Sequence, residues 1–281
     1  MLLFCQHSEE LGVDCVGPGW LQRNHFPATY SGVDESNLPA ELYPNFSTIE
    51  YVLPVPLAAP PTFLFVVDLC QAEEELEHLK KALTHLLSLI PDTCPVGLIS
   101  YSALVNVHEI GFADLSRAIV LRGDRELSAD KVKALLGLPS PSPLGFVVPL
   151  RDCDFSLSAA LESLRPDPSL PRPGHRPQRA SGAALSVAVG LLDAVLGRGA
   201  SARIVHFAAG PATVGPGMVV DTELSESLRS HSDILSNSTH FFRKATAFHT
   251  KLAQRLVERG FVYDLLAASL DQVGHTPHGN P

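Results

Sequence analysis

The sequence predicts an α/β fold: a doubly wound, mostly parallel sheet with one antiparallel edge strand. Three observations predict it. Short apolar runs rich in β-formers alternate with stripes of helical period, the pattern of strand and crossover helix. Phe63-Leu64-Phe65-Val66-Val67 is apolar without a break, as in a strand buried on both faces. Two further strands, 96–101 and 104–109, follow one another across a gap too short for a parallel crossover, so they must form an antiparallel hairpin.

The elements follow in order. Residues 1–47 hold Gly17-Pro18-Gly19, Phe26-Pro27, Leu38-Pro39 and Tyr43-Pro44 without a sustained period, which predicts an irregular extended arm. Thr48 to Leu53 reads as a strand ended by Pro54 and Pro56. After the strand at 63–67, capped by Asp68, a helix is expected over 72–90. Its stripe is Ala72, Leu76, Leu79, Leu83, Leu86 and Ile90, with Glu73, Glu74 and Glu75 in the first turn, where the helix dipole favours them. After the hairpin come a short strand at 117–121, a short helix at 128–136, a Pro/Ser loop at 139–143 and a helix from Ser156 to Leu164. Residues 165–179 are rich in proline and arginine and read as a linker, either solvated or touching an acidic partner. Residues 181–196 carry Asp193 as their one charge and predict a central buried helix. A strand at 202–208, a glycine-rich turn at 210–217, a helix at 238–259 stopped by Gly260, and a last strand at 261–267 complete the pattern.

Composition narrows the classes. The chain has 281 residues, 45% of them hydrophobic, enough for a sizeable core. Its formal net charge of −9 argues against a nucleic-acid binder with a broadly basic surface. No run of about 18 uncharged apolar residues exists to cross a bilayer. The start, MLLFCQHSEE, does not read as a signal peptide. Five cysteines, none spaced as CxxC, suit reduced cytosolic thiols, with Cys70, Cys94 and Cys153 expected buried and inert.

In such sheets the site lies beyond the carboxyl ends of the central strands, where the winding reverses. That places Asp68, residues 180–183 and residues 208–217 together. An ion-binding module of the von Willebrand A type would read Asp-x-Ser-x-Ser after the first buried strand, because magnesium needs near-octahedral oxygen ligands. This chain reads Asp68-Leu69-Cys70-Gln71-Ala72, with Ser181-Gly182 and Ala209-Gly210 at the two other ligand positions. One carboxylate and one hydroxyl remain, so a dead ion site is expected, with Asp68 capping the next helix or bonding the loop. The loop Gly210 to Gly217 is neither GxGxxG nor a P-loop and reads as a rigid turn. His78 and His85 share a helix face without a third ligand. No catalytic, cofactor-binding or metal-binding residue is predicted.

Several segments together resemble one family. They are Asn24-His25-Phe26-Pro27, Pro39-Ala40-Glu41-Leu42, Phe46 to Val52, Phe63 to Asp68, Cys153-Asp154-Phe155-Ser156-Leu157, Arg165-Pro166-Asp167-Pro168, Gly215 to Val220, Leu228-Arg229-Ser230-His231 and Leu270 to Gly274. This set is similar to the Sec23 family, the GTPase-activating large subunit of the inner COPII coat, from about residue 20 to 274. The resemblance implies a von Willebrand A-like trunk preceded by a strand of an incomplete β-sandwich. The implied organisation is an arm with the remnant of a zinc finger at 1–47, the trunk at 48–274 and a disordered tail at 275–281.

The resemblance also implies a cytoplasmic protein, peripheral on the cytosolic face of endoplasmic reticulum exit sites and COPII vesicles. Its implied partners are the Sec24 cargo adaptor, the Sar-type small GTPase and the membrane, with no nucleic acid. The family is itself a GTPase activator and not an enzyme. Two departures stand out. The family's later regions, a completed β-sandwich, a helical region that supplies the activating arginine and a gelsolin-like domain, have no counterpart in these residues, so a truncated or misjoined form is expected. The family's zinc finger has two CxxC pairs; here Gly17 and Trp20 occupy the second pair, and only Cys5 and Cys15 lie nearby. Two thiolates cannot close a tetrahedron, so no zinc is expected. The expectation is therefore a non-catalytic coat subunit with no cofactor; the alternative is a free-standing, ion-dependent von Willebrand A module.

Overall fold

The structure, a computed structural model, describes residues 14–16, 23–25, 36–38, 43, 45, 48, 60–112, 117–138, 145–169, 171–197, 199–225, 231–236 and 241–268. The chain divides into two units, Met1–Pro56 and Leu57–Pro281. In the first, β1 (Asp14–Val16) and β2 (Arg23–His25) pair antiparallel, with Cys15 opposite Asn24. The irregular arm therefore contains a short ladder. Three-residue strands are too short to show a period, which is why the sequence hides them. The strand expected over 48–53 lies outside the described residues except for Thr48, as does Cys5.

The second unit is built on one sheet. Its strands are β3 (Thr62–Asp68), β4 (Pro95–Tyr101), β5 (Leu104–Glu109), β6 (Arg117–Arg122), β7 (Val148–Pro149), β8 (Ala202–Ala208) and β9 (Val262–Ala267), in the order β6-β5-β4-β3-β8-β9 with β7 beside β4. β4, β3, β8 and β9 run parallel. β5 and β6 run antiparallel, so the expected antiparallel edge is present and extends over both strands. The winding reverses at β3, which pairs β4 on one side and β8 on the other.

The alternation of side chains along β3 feeds two cores. Leu64 and Val66 face α4 (Ser181–Val195), together with Ile99, Tyr101 and Ile204. Phe65 and Val67 face the other way, against Leu76 and Leu83 of α1 (Glu73–Leu89) and Leu157 and Leu161 of α3 (Leu150–Ser163). This sandwich explains why β3 is apolar from Phe63 through Val67. Helix α4 is buried from Ser181 through Leu192, as its uniform apolarity predicts. Its Gly190 admits Val132 of α2 (Ala129–Leu135): a β-carbon there would meet that side chain at 3.2 Å.

Three local expectations are corrected. Helix α3 begins at Leu150, not Ser156, because Leu150, Cys153, Leu157, Ala160 and Leu164 already form a buried stripe that starts directly after Pro149. On α1 the expected Leu76, Leu79, Leu83, Leu86 and Ile90 do face the core, but exposed Ala72 does not, and Leu87 and Lys80 join the buried line; Lys80 lies along the core edge and its Nζ reaches Glu77 and the Glu162 carbonyl. A short helix α5 (His231–Leu235) occupies a stretch with no readable period. Helix α6 (Phe242–Arg259) ends at Gly260, whose φ of 68° is the left-handed cap the sequence predicts.

Candidate functional site

β3 ends at the switch point, and its last residue is Asp68. As the sequence predicts, the turn after β3, the segment entering α4 and the loop after β8 converge there. Asp68 does not cap α1, whose N-cap is Ala72. Its Oδ1 accepts from the Cys70 N–H at 2.8 Å and its Oδ2 from the Ala209 N–H at 2.9 Å. The third donor is Arg179, whose Nε lies 2.6 Å from Oδ2. Asp68 and Arg179 side chains are only 1% and 2% exposed, so this is a fully buried ion pair.

The rest of the guanidinium is also engaged. Nη2 donates to the Cys70 carbonyl at 2.7 Å and the Ala209 carbonyl at 3.3 Å, and Nη1 to the Pro211 carbonyl at 3.3 Å. The backbone N–H of Arg179 donates to Thr213 Oγ1 at 2.8 Å, and that hydroxyl donates to the Pro177 carbonyl at 2.7 Å. A guanidinium presents five donors in a fixed fork, which suits a carboxylate flanked by carbonyls. A buried pair satisfied in this way is costly to break, because removing either partner strands a charge in low dielectric.

Two of the four arginines in the proline-rich segment at 165–179 are thus fasteners within the fold, while Arg165 and Arg172 are exposed. Arg179 holds Asp68, and buried Arg176 donates to the carbonyls of Asp221 and Glu223, beside the bridge between His175 and Glu223. Prolines remove backbone donors, and the two arginine side chains replace them as fasteners. Arg255 and Arg259 of α6 both lie on Asp193 of α4 at 2.9 Å. That one charge in an apolar helix faces α6.

The glycine-rich loop is a packing device. A β-carbon on Gly210 would sit 2.6 Å from Arg179 Nη1, and one on Gly215, whose φ is 77°, would sit 2.0 Å from the Gly123 carbonyl oxygen. Ser181, the single hydroxyl at a ligand position, opens α4 beside the Tyr101 phenol. Below it, Tyr101 Oη, His206 and Tyr263 Oη form a chain of hydrogen bonds of 2.7 and 2.8 Å across the sheet. Burial pushes the His206 pKa down to about 4, so the ring is neutral, with one phenol donating to it and the other accepting.

A cavity of about 530 Å³ lies over the ion pair, walled by Gln71, Glu73, Glu75, Pro166, Asp167 and Pro177 among others. Cys70 also borders it, but burial first and Asp68 second push its thiol up to about 12, so it is no nucleophile at neutral pH. Cys94 and Cys153 are buried as expected, and His78 and His85 lie on the exposed side of α1. Among the described residues no group of three or more His, Cys, Asp or Glu side chains could hold a metal ion. Sequence reasoning missed Arg179. The available signal was its place two residues before Ser181, at the mouth of a site short of a positive charge.

These features define a doubly wound, von Willebrand A-like module whose sheet-top site is filled by its own side chains. The chain belongs to the Sec23/Sec24 trunk domain family, whose model matches residues 58–277. It is 39% identical over 290 residues to protein transport protein SEC23 F of Arabidopsis thaliana, spanning 93% of this chain and 37% of that protein. The human COPII-coat protein Sec24c shares the fold, with a TM-score of 0.50 and 16% identity over 75% of this chain and 26% of that one. A von Willebrand factor type A structure from Catenulispora acidiphila matches more loosely, with a TM-score of 0.38 and 10% identity over 75% of this chain and 33% of that one.

Proposed function

We propose that this chain acts as the trunk of a Sec23-type subunit of the inner COPII coat, in transport from the endoplasmic reticulum to the Golgi. It works by presenting surfaces to other proteins: a Sec24-type cargo adaptor, a Sar-type GTPase and, peripherally, the cytosolic face of exit-site membranes. Family membership supports the role. The observation that carries the non-catalytic, ion-free reading is the Arg179–Asp68 pair, which fills the place where an ion or reacting group would sit. Cys5 and Cys15 alone do not supply the four ligands of structural zinc, so no zinc is part of this reading.

Stimulation of GTP hydrolysis in trans needs an arginine held rigidly at the phosphates, worth about 10³–10⁵ in rate. Here Arg176, Arg179, Arg255 and Arg259 are engaged within the chain. On this reading the chain binds partners without accelerating hydrolysis; the exposed Arg151 and Arg172 are the candidates that a hydrolysis assay would reveal if it does accelerate it. The experiment is flotation with liposomes, a GTP-locked Sar-type GTPase and a Sec24-type adaptor, paired with a single-turnover GTP assay. Co-flotation with unchanged hydrolysis is expected. Failure to float would overturn the coat reading, and tenfold faster hydrolysis would overturn the non-catalytic one.

A further inference from the structure

We infer that the sheet-top pocket is a guanidinium-binding site occupied in cis: Arg179 acts as a tethered cation that takes the position a dissociable ion would hold in this fold.

Four oxygens surround the guanidinium, one from the Asp68 carboxylate and one each from the carbonyls of Cys70, Ala209 and Pro211, at 2.6–3.3 Å from its nitrogens. Three of the four are backbone carbonyls, which can move only with their loops. The arrangement matches a planar fork of donors, not a magnesium ion, which demands about six oxygens at 2.0–2.1 Å. The loop after β8 is cut to fit: Gly210 leaves out the one methyl group that would strike Nη1. The oxygens come from the turn after β3 and the loop after β8, while Arg179 itself comes from the segment entering α4.

A dissociable ion lets such a site exist in two states, set by ion concentration and by a ligand that completes the coordination. A cation carried on the chain is present at very high effective concentration and is not diluted away. The loops at the carboxyl ends of β3 and β8 are therefore held in one state whatever the ionic conditions.

The test is chemical rescue. Arg179→Ala should lower the melting temperature by on the order of 10 °C. Ethylguanidinium, which replaces the lost atoms beyond the β-carbon, should restore at least half of that loss with saturation at millimolar concentration. Ethylammonium and magnesium should not restore it. An unchanged melt in the variant, no rescue, or equal rescue by ethylammonium would overturn the inference. A second measurement needs no variant. In the wild-type chain the Arg179 Nε–H resonance should exchange with water far more slowly than those of exposed arginines such as Arg151 and Arg172. Exchange at the same rate would overturn the inference even if Arg179→Ala did not fold.

Discussion

The α-carbon of Gly210 rests against the guanidinium of Arg179, so closely that an alanine there would place its methyl 2.6 Å from Nη1 and 2.9 Å from Cζ. The arginine is pinned on its other side by Asp68 and cannot retreat without breaking the buried pair. Gly210→Ala should therefore destabilise the fold by about 1–3 kcal/mol, the range for overpacking. Gly197→Ala, where a β-carbon meets nothing within 4 Å, should be near neutral. Urea melts of the two variants check this; equal stabilities would show that the loop has room to yield.

Asp68→Ala should cost more, about 3–5 kcal/mol, because it leaves a buried guanidinium without its counter-charge and two backbone donors without their acceptor. Replacing Asp68 and Arg179 together by apolar residues should cost less than the two single losses combined. A double-mutant cycle by chemical denaturation measures this, and additive losses would mean that the two residues do not act as a pair.

Acid should weaken the fold in a defined window. Burial lowers the pKa of both His108 and His206 to about 4, from an ordinary value near 6.5. Between those values the unfolded chain holds protons that the folded chain excludes, so stability falls as pH drops from about 6.5 toward 4 and is flat above that range. Each histidine contributes about 1.4 kcal/mol per pH unit inside the window. Urea unfolding at pH 7 and pH 5 should differ by a few kcal/mol, and His206→Gln should remove one proton from the slope. Equal stability at the two pH values would contradict the burial of these rings.

The β9 edge predicts association. Val262, Leu265 and Leu266 are 47%, 55% and 50% exposed on a strand whose outer side pairs with nothing among the described residues. The opposite edge, β6, has arginine at both ends. The one charge on β9, Asp264, is paired with Arg203 of β8, and exposed apolar edges of this kind invite strand pairing. Sedimentation of the 281-residue chain should show concentration-dependent association that Leu265→Lys reduces. A monomer with a sharp, reversible melt at high concentration would contradict this.

Much of this architecture could be read from residues in sequence. The unbroken run 63–67, the short hairpin gap after Tyr101 and the uniform apolarity of α4 each reflect local physics, and each is found in the structure. The convergence of Asp68, Ser181 and Ala209 followed from the rule for doubly wound sheets. The pairing of Asp68 with Arg179 did not, because 111 residues separate the partners and the arginine sits among prolines that look solvated. The same holds for Asp193, whose partners Arg255 and Arg259 lie far along the chain on α6. Charge pairs across elements leave no period, and a three-residue ladder such as β1–β2 leaves no stripe.

If this trunk binds coat partners through fixed surfaces and without an ion, magnesium should not matter to that binding. Calorimetric titration of a Sec24-type adaptor into the chain, first in millimolar magnesium and then in EDTA, tests it most directly. The same affinity in both buffers, with no change in melting temperature on adding magnesium, is the predicted result. Binding that appears only with magnesium, or no binding in either buffer, would contradict it.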